Sequence, residues 1–287
     1  MADILDGKIA RDSYTKGLIE RSKRLFARPT LALIQIGDNK ESAIYIEQKK
    51  RFARTIDARV EHIQFKSEAK ISDVEMAIRS LNARADIHGI IIQLPLPAGF
   101  DKHSLIEMID PAKDVDGLTD ANQRLLEAGT PNLVPATAKG VMSLLDFYGI
   151  EIKGKKAVVF GRSRLVGGPI ASLLSARGAS VSVCNSQTAD PRAVSTQADI
   201  VVAAIGKPEL IDASYVKAGS VIIDVGISTL PEGRKSSTGK AIAGDVNFAA
   251  VSPLVKAISP VPGGVGPMTV LSLFDNLIVS AERSAAK

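Results

Sequence analysis

Cysteine occurs once in this chain, at Cys184, tryptophan not at all, and the three histidines, His62, His88 and His103, lie far apart. A lone cysteine excludes an internal disulfide. At the end of the apolar run SVSVC it reads as a buried strand residue, and a reducing cytoplasm is the expected location. Histidines without accompanying cysteines give a metal site no support, so none is expected. Aromatic residues make up 4% of the sequence, and the 36 basic residues, against 31 acidic ones, are scattered. Nucleic acid would therefore find neither a basic stripe nor a stacking platform, although the net charge of +5 suits an anionic ligand. No apolar run approaches the roughly 18 residues of a membrane span. The start, MADILDGKIARDSYTKGL, carries acidic residues early and lacks the apolar core of a secretion signal, so neither export nor a membrane partner is expected.

What is present is material for two domains: 287 residues, 45% of them apolar. The first half alternates strand-like and helix-like segments. TLALIQIG (30–37), ARVEHIQF (58–65) and IHGIIIQLPLP (87–97) read as strands, with helices over 42–56 and 71–84 between them. Such alternation predicts a parallel sheet covered by helices. The second half repeats the logic with strand candidates at 155–160, 179–184, 199–206 and 220–226, spaced as in a doubly wound sheet. The junction falls near 137–154, where a helical segment ends at Gly149. A last helix opens around Pro267, carries Val270, Phe274 and Leu277 on one stripe, and needs a partner surface.

VVFGRSRLVGGP (158–169) is a strand, a glycine turn and a helix start, an arrangement that directs backbone N–H groups and the positive helix end toward a phosphate. Its spacing departs from G-x-G-x-x-G, so the glycines alone are a weak signal. The end of the following strand, Cys184-Asn185-Ser186-Gln187-Thr188, has no carboxylate to hold a ribose 2′-OH. Arg162 can supply a charge-assisted fork there, which favours NADP over NAD. The plainer reading makes Arg162 a solvated loop residue and Ser186 a turn former.

In SAIYIEQKKRFARTI (42–56), Tyr45, Lys49, Phe52 and Ile56 share a narrow stripe at 100° per residue. A lysine on such a face either snorkels along the rim or is desolvated, with a lowered pKa that lets it move protons near neutrality. Gln93, inside an apolar strand, costs free energy unless its amide is hydrogen-bonded, and each residue is a plausible partner for the other. Asp114 and Asp116 precede Gly117 in DPAKDVDG, a spacing that also suits backbone capping.

YIEQK, QLPLP, KDVDG, GRSRLVGGP and PVPGGVGPMT, in this order and spacing, resemble the bifunctional methylenetetrahydrofolate dehydrogenase/cyclohydrolase family, often called FolD in bacteria, over almost the whole chain. The resemblance implies two α/β domains. A folate-binding catalytic domain would span 1–138 and 268–287, with the C-terminal helix returning to it, and a Rossmann-like NADP domain would span 139–267. It implies NADP-dependent oxidation of 5,10-methylenetetrahydrofolate to the 5,10-methenyl cation and hydrolysis of that cation to 10-formyltetrahydrofolate, in a homodimer paired through the nucleotide domain. By carry-over Lys49 transfers the proton, Gln93 tunes and orients it, Tyr45 stacks on the aminobenzoate ring and Asp116 holds the pterin. Arg162, Ser163 and Ser186 would meet the NADP phosphates and Ile227 and Thr269 the nicotinamide half, with Thr137 and Gly161 also binding the cofactor. PVPGGVGP, with three prolines and three glycines, reads as a stiff loop that lets backbone approach a ligand.

The sequence departs from the family pattern in three places. Pro-Cys-Thr-Pro-Lys-Gly becomes Pro135-Ala136-Thr137-Ala138-Lys139-Gly140, Cys-His-Ser becomes Cys184-Asn185-Ser186, and Gly-Ile-Asn becomes Gly226-Ile227-Ser228. The first puts a loop's rigidity in question, and the other two the strength of the NADP preference.

Overall fold

The computed structural model describes residues 2–285, without the side chains of residues 40 and 41. In chain order the strands are β1 (Asp3–Ile4), β2 (Thr30–Ile36), β3 (Arg59–Phe65), β4 (Gly89–Ile92), β5 (Lys156–Phe160), β6 (Ser180–Cys184), β7 (Ile200–Ala203), β8 (Val221–Asp224), β9 (Ser228–Thr229), β10 (Ile242–Ala243) and β11 (Ala257–Ile258). They fall in two compact units. One comprises residues 13–136 and 270–285, the other residues 2–12 and 137–269.

The first unit has a parallel sheet in the order β3-β2-β4. All seven residues of β2 are buried, as the continuous apolar run TLALIQI requires of a central strand covered on both faces. The helix Ile71–Ala83 presents Val74, Ile78 and Leu81 to a core shared with Ile34, Ile36, Ile90 and Ile92. The C-terminal helix, Val265–Ala285, contributes its residues from 270 onward to this unit. Phe274 and Leu277 of its apolar stripe are fully buried, and the Phe274 ring lies 5.4 Å from that of Phe52, centroid to centroid.

The second unit is a parallel sheet in the order β1-β11-β8-β7-β5-β6, with a small antiparallel β9–β10 pair beside it. Its core joins Val158, Phe160, Val201, Ala203, Ile222 and Ile258. The first residues of the chain depart from the expected division, which placed all of 1–138 with the folate half. Asp3 and Ile4 pair with Ala257 and Ile258, Leu5 donates its N–H to the Ile258 carbonyl at 2.9 Å, and its side chain is buried. A two-residue strand of this kind has no periodicity to betray it, and pairing with the equally short β11 decides its place. The units change over at 136/137 and 269/270 in place of the expected 138/139 and 267/268.

Candidate active site

Lys49 lies on the helix Lys40–Thr55, which Asn39 starts by accepting the Ser42 N–H on its side chain at 3.0 Å. Ile46, Phe52 and Ala53 of this helix and Ile56 just past its end are buried, and Tyr45 and Lys49 are half-buried one turn apart. The Lys49 ammonium does not snorkel outward. Nζ donates to Gln93 Oε1 at 2.8 Å.

Gln93, 8% exposed, is fixed for this task from two sides. Its backbone N–H continues the sheet ladder to the Ile34 carbonyl at 2.8 Å, and its side-chain Nε2 donates to the Leu94 carbonyl at 2.8 Å. That second bond settles which end of the amide is oxygen, so Oε1 is left to accept from the lysine.

The KDVDG turn separates its two aspartates by function. Lys113 Nζ donates to the carbonyls of Leu81 (3.2 Å), Asn82 (2.8 Å) and Arg84 (2.6 Å), closing the C-terminus of the helix Ile71–Ala83. Asp114, 1% exposed, accepts the Thr119 N–H at 2.7 Å and the Asn122 side-chain amide at 2.9 Å. It is the capping residue that the spacing allowed. Gly117 follows with φ +72°, and a Cβ there would lie 2.7 Å from the Pro135 nitrogen, so the turn tolerates no side chain at that point.

Asp116 is left to interact with Lys49. Burial lowers the Lys49 pKa, and the Asp116 charge opposes that shift. Burial likewise raises the Asp116 carboxyl, with Lys49 pulling it down and Asp114 pushing it up. Each group is thus held nearer its neutral form than a surface residue would be, and the charge of each opposes the other's shift.

Outside this triad, His103 and Glu107 meet Asp120, with donor atoms within 4.8 Å of one another. No sequence motif announced this group, because its members come from two helices. Glu107 Oε1 already accepts the Asp120 N–H at 2.7 Å, and the group reads as helix-end polarity.

The second unit contains the cofactor candidates. At the carboxyl end of β5, Gly161 has φ +102°, and a Cβ on it would stand 2.2 Å from the Ala204 carbonyl oxygen; one on Gly167 would stand 2.1 Å from the Gly161 oxygen. These glycines let the turn fold flat across the sheet end, as a bound phosphate needs. Arg162 and Ser163 are exposed beyond it. Ser163 also caps the helix Gly167–Ala176: its carbonyl accepts the Gly168 N–H at 3.0 Å and its hydroxyl lies 3.4 Å from the Gly167 nitrogen. The first-turn amides are therefore less free than the motif suggested.

At the end of β6, Asn185 is engaged with Thr188 and Gln187, and Asp190 accepts the Ala193 N–H as a helix cap. Ser186 is exposed, with no carboxylate at the strand end. Ile227, 49% exposed, follows β8. Thr137 is half-buried at the start of the helix Ala136–Phe147, and Thr269, also half-buried, donates back to the Val265 carbonyl at 3.3 Å. A Cβ on Gly140 would touch the Met268 and Thr269 backbone at 2.9–3.0 Å, so these two helices approach closely there. An open glycine turn, an exposed arginine and a strand end without an acid fit a dinucleotide bearing a 2′-phosphate.

Residues 5–116 match the family model for the tetrahydrofolate dehydrogenase/cyclohydrolase catalytic domain, and residues 135–285 match the model for its NAD(P)-binding domain. The chain belongs to the tetrahydrofolate dehydrogenase/cyclohydrolase family. It is 41% identical to the bifunctional protein FolD of Dechloromonas aromatica (strain RCB) over 287 residues, covering 99% of each chain. The solved structure of the bifunctional FolD enzyme from Campylobacter jejuni superposes with a TM-score of 0.93 at 36% identity, covering 99% of both chains. That of the Trypanosoma brucei enzyme, complexed with NADP cofactor and inhibitor, gives 0.93 at 34% identity, covering 100% of this chain and 99% of that one. For a tetrahydrofolate dehydrogenase/cyclohydrolase the fold is the one expected, an α/β pair of units with a Rossmann-like sheet. No helix among the described residues is long and apolar enough to cross a membrane.

Proposed function

We propose that this chain oxidises 5,10-methylenetetrahydrofolate with NADP and hydrolyses the resulting methenyl cation to 10-formyltetrahydrofolate. The single observation that carries the reading is the desolvated Lys49 amine, held at 2.8 Å by the oriented Gln93 amide and facing Asp116, in a chain that matches both family models.

For hydrolysis, the water oxygen bonds to the methenyl carbon while its proton passes to neutral Lys49. The adduct then collapses: the C–N5 bond breaks, the protonated amine returns its proton to N5, and the hydroxyl proton is released as the formyl group forms on N10. An amine with a lowered pKa takes up and returns a proton at modest cost in both directions. Gln93 keeps Nζ in one place through both protonation states, since an ammonium and an amine can both donate to Oε1. Asp116 offers a carboxylate to the pterin's N–H donors, and Tyr45, one turn before Lys49, offers a ring to the aminobenzoate.

For oxidation, NADP when bound supplies the acceptor for a hydride from the methylene carbon. Arg162, Ser163 and Ser186 would hold its phosphates at the Gly161 turn, with Thr137, Ile227 and Thr269 toward the rest of the cofactor. Two chains pairing through the β6 edge, where Val183 is exposed on an unpaired strand face, fit the homodimer expected of the family. A cytoplasmic location suits one-carbon chemistry and the lone thiol of Cys184.

The test is spectrophotometric. Purified protein with methylenetetrahydrofolate should form NADPH, and with the methenyl compound should remove its absorbance. Absence of both reactions would refute the proposal.

A further inference from the structure

The nucleotide-binding unit buries two carboxylates that none of these roles uses. Asp224, 3% exposed, ends β8, and Asp245, wholly buried, lies just beyond β10. Asp224 accepts the amide hydrogens of Gly226 (3.0 Å) and Asp245 (2.9 Å) on Oδ1 and of Val246 (3.0 Å) on Oδ2. Asp245 accepts those of Ile205 (2.6 Å) and Gly206 (3.0 Å), both on Oδ2, and its other oxygen has no hydrogen-bond partner among the described residues.

The two residues are built into each other's surroundings. A Cβ on Gly226 would sit 2.2 Å from the Asp245 carboxyl carbon, and one on Gly244 would sit 1.9 Å from Asp224 Oδ2. Each carboxylate therefore lies flat on a glycine of the other's segment. Burying an acid this way is costly, and desolvation accordingly pushes the Asp224 carboxyl up to about 7. An ordinary turn needs no such expense, since a serine or asparagine caps amides near the surface.

The location of the pinned amides suggests a use. Ile205 and Gly206 open the loop after β7, and Gly226 opens the loop after β8. A doubly wound sheet takes its dinucleotide outside the carboxyl ends of the strands, one mononucleotide half on each side of the first glycine turn. With the 2′-phosphate assigned to the Arg162 and Ser186 side, at β5 and β6, the nicotinamide half falls to the β7 and β8 loops. Exposed Ile227 follows directly on Gly226.

We propose that Asp245, with Asp224 behind it, is a positioning residue for hydride transfer, fixing the backbone of the two loops against which the nicotinamide is held. This rests on the NADP-dependent oxidation proposed above. Because the hydrolysis needs no nicotinamide and runs on residues of the other unit, one preparation provides its own control.

In Asp245→Ala the Ile205 and Gly206 amides lose their acceptor, and misplacement of a reacting group by about 1 Å costs on the order of 10²-fold. The kcat for oxidation should fall about 30- to 100-fold, while KM for NADP, set largely by phosphate contacts, and the rate of methenyl hydrolysis stay within about threefold. Asp245→Asn keeps an oxygen where both amides can reach it and should recover most of the loss. Should Asp245→Ala give no folded protein, Asp245→Asn carries the test alone, since its neutral oxygen holds the amides more weakly and should lower oxidation a few-fold relative to hydrolysis. Unchanged oxidation, a parallel fall of both activities, or no difference between folded alanine and asparagine variants overturns the proposal. Wild-type protein lacking both activities would instead sink the functional assignment itself.

Discussion

Replacing Lys49 by methionine keeps most of the side-chain volume and removes only the proton-carrying end. The hydrogen bond to Gln93 Oε1 is lost, worth about 0.5–1.5 kcal/mol net, but so is the cost of keeping an amine out of water. The two changes oppose each other, so stability should shift by no more than about 1 kcal/mol. Catalysis should suffer far more. A positioned acid–base group contributes roughly 10²–10⁴-fold, so methenyl hydrolysis should slow by that factor, about 2.7–5.5 kcal/mol of barrier.

The pH behaviour provides a second readout. The lowered pKa means the neutral amine appears below the ordinary lysine value of 10.5, so hydrolysis in the wild type should rise with pH toward that lowered pKa and then level off. In Lys49→Met this limb should vanish, and Asp116, losing the positive neighbour that holds it down, should titrate higher still. Stability follows the same linkage. Between the lowered folded pKa and 10.5 the unfolded chain binds the extra proton, so wild-type stability gains as pH climbs through that window and the variant lacks the gain. Stopped-flow loss of methenyl absorbance across pH, with NADP affinity measured alongside, decides the matter. Hydrolysis retained within about threefold, or weakened NADP binding with intact hydrolysis, refutes the reasoning.

Four further substitutions separate scaffold from chemistry. Asp114→Ala should lower stability by about 2–4 kcal/mol in chemical denaturation, since a buried carboxylate with two donors is removed, whereas Asp116→Ala should cost activity with little loss of stability. Arg162→Ala should raise KM for NADP about 10- to 100-fold and leave KM for NAD nearly unchanged, because one charge-assisted phosphate contact is worth about 1.5–3 kcal/mol and only NADP offers it. Lys113→Met should lower the melting temperature by leaving the carbonyls of Leu81, Asn82 and Arg84 open, at about 1–2 kcal/mol, without changing the ratio of the two activities.

How much of this was legible beforehand depended on the scale of the signal. The long elements were plain: β2 is an unbroken apolar run, and the stripe holding Lys49 and Phe52 faces inward as its spacing required. The lysine itself was ambiguous. Periodicity gives the face of a helix but not the depth of a side chain's tip, and the choice between rim and interior falls to Gln93, 44 residues away. Asp114 and Asp116 looked equivalent in the motif, and the position of Thr119 and Asn122 made one of them a cap. The short strands β1 and β11 were invisible, since two residues carry no pattern. The pairing of Asp224 with Asp245 was equally hidden: they stand 21 positions apart with a hairpin between them, and its only written trace is the glycine that each acid needs opposite it.

The early segment around Leu5 has a consequence for how the molecule is made. As the ribosome releases the chain, those residues emerge long before the backbone they clasp, near Ile258. The folate half likewise waits for its closing helix from residue 270 onward. Neither half is one uninterrupted stretch, so a fragment cut at either changeover lacks a piece of its own framework, and neither architecture is complete until its later segment, near Ile258 for one and from residue 270 onward for the other, has been made.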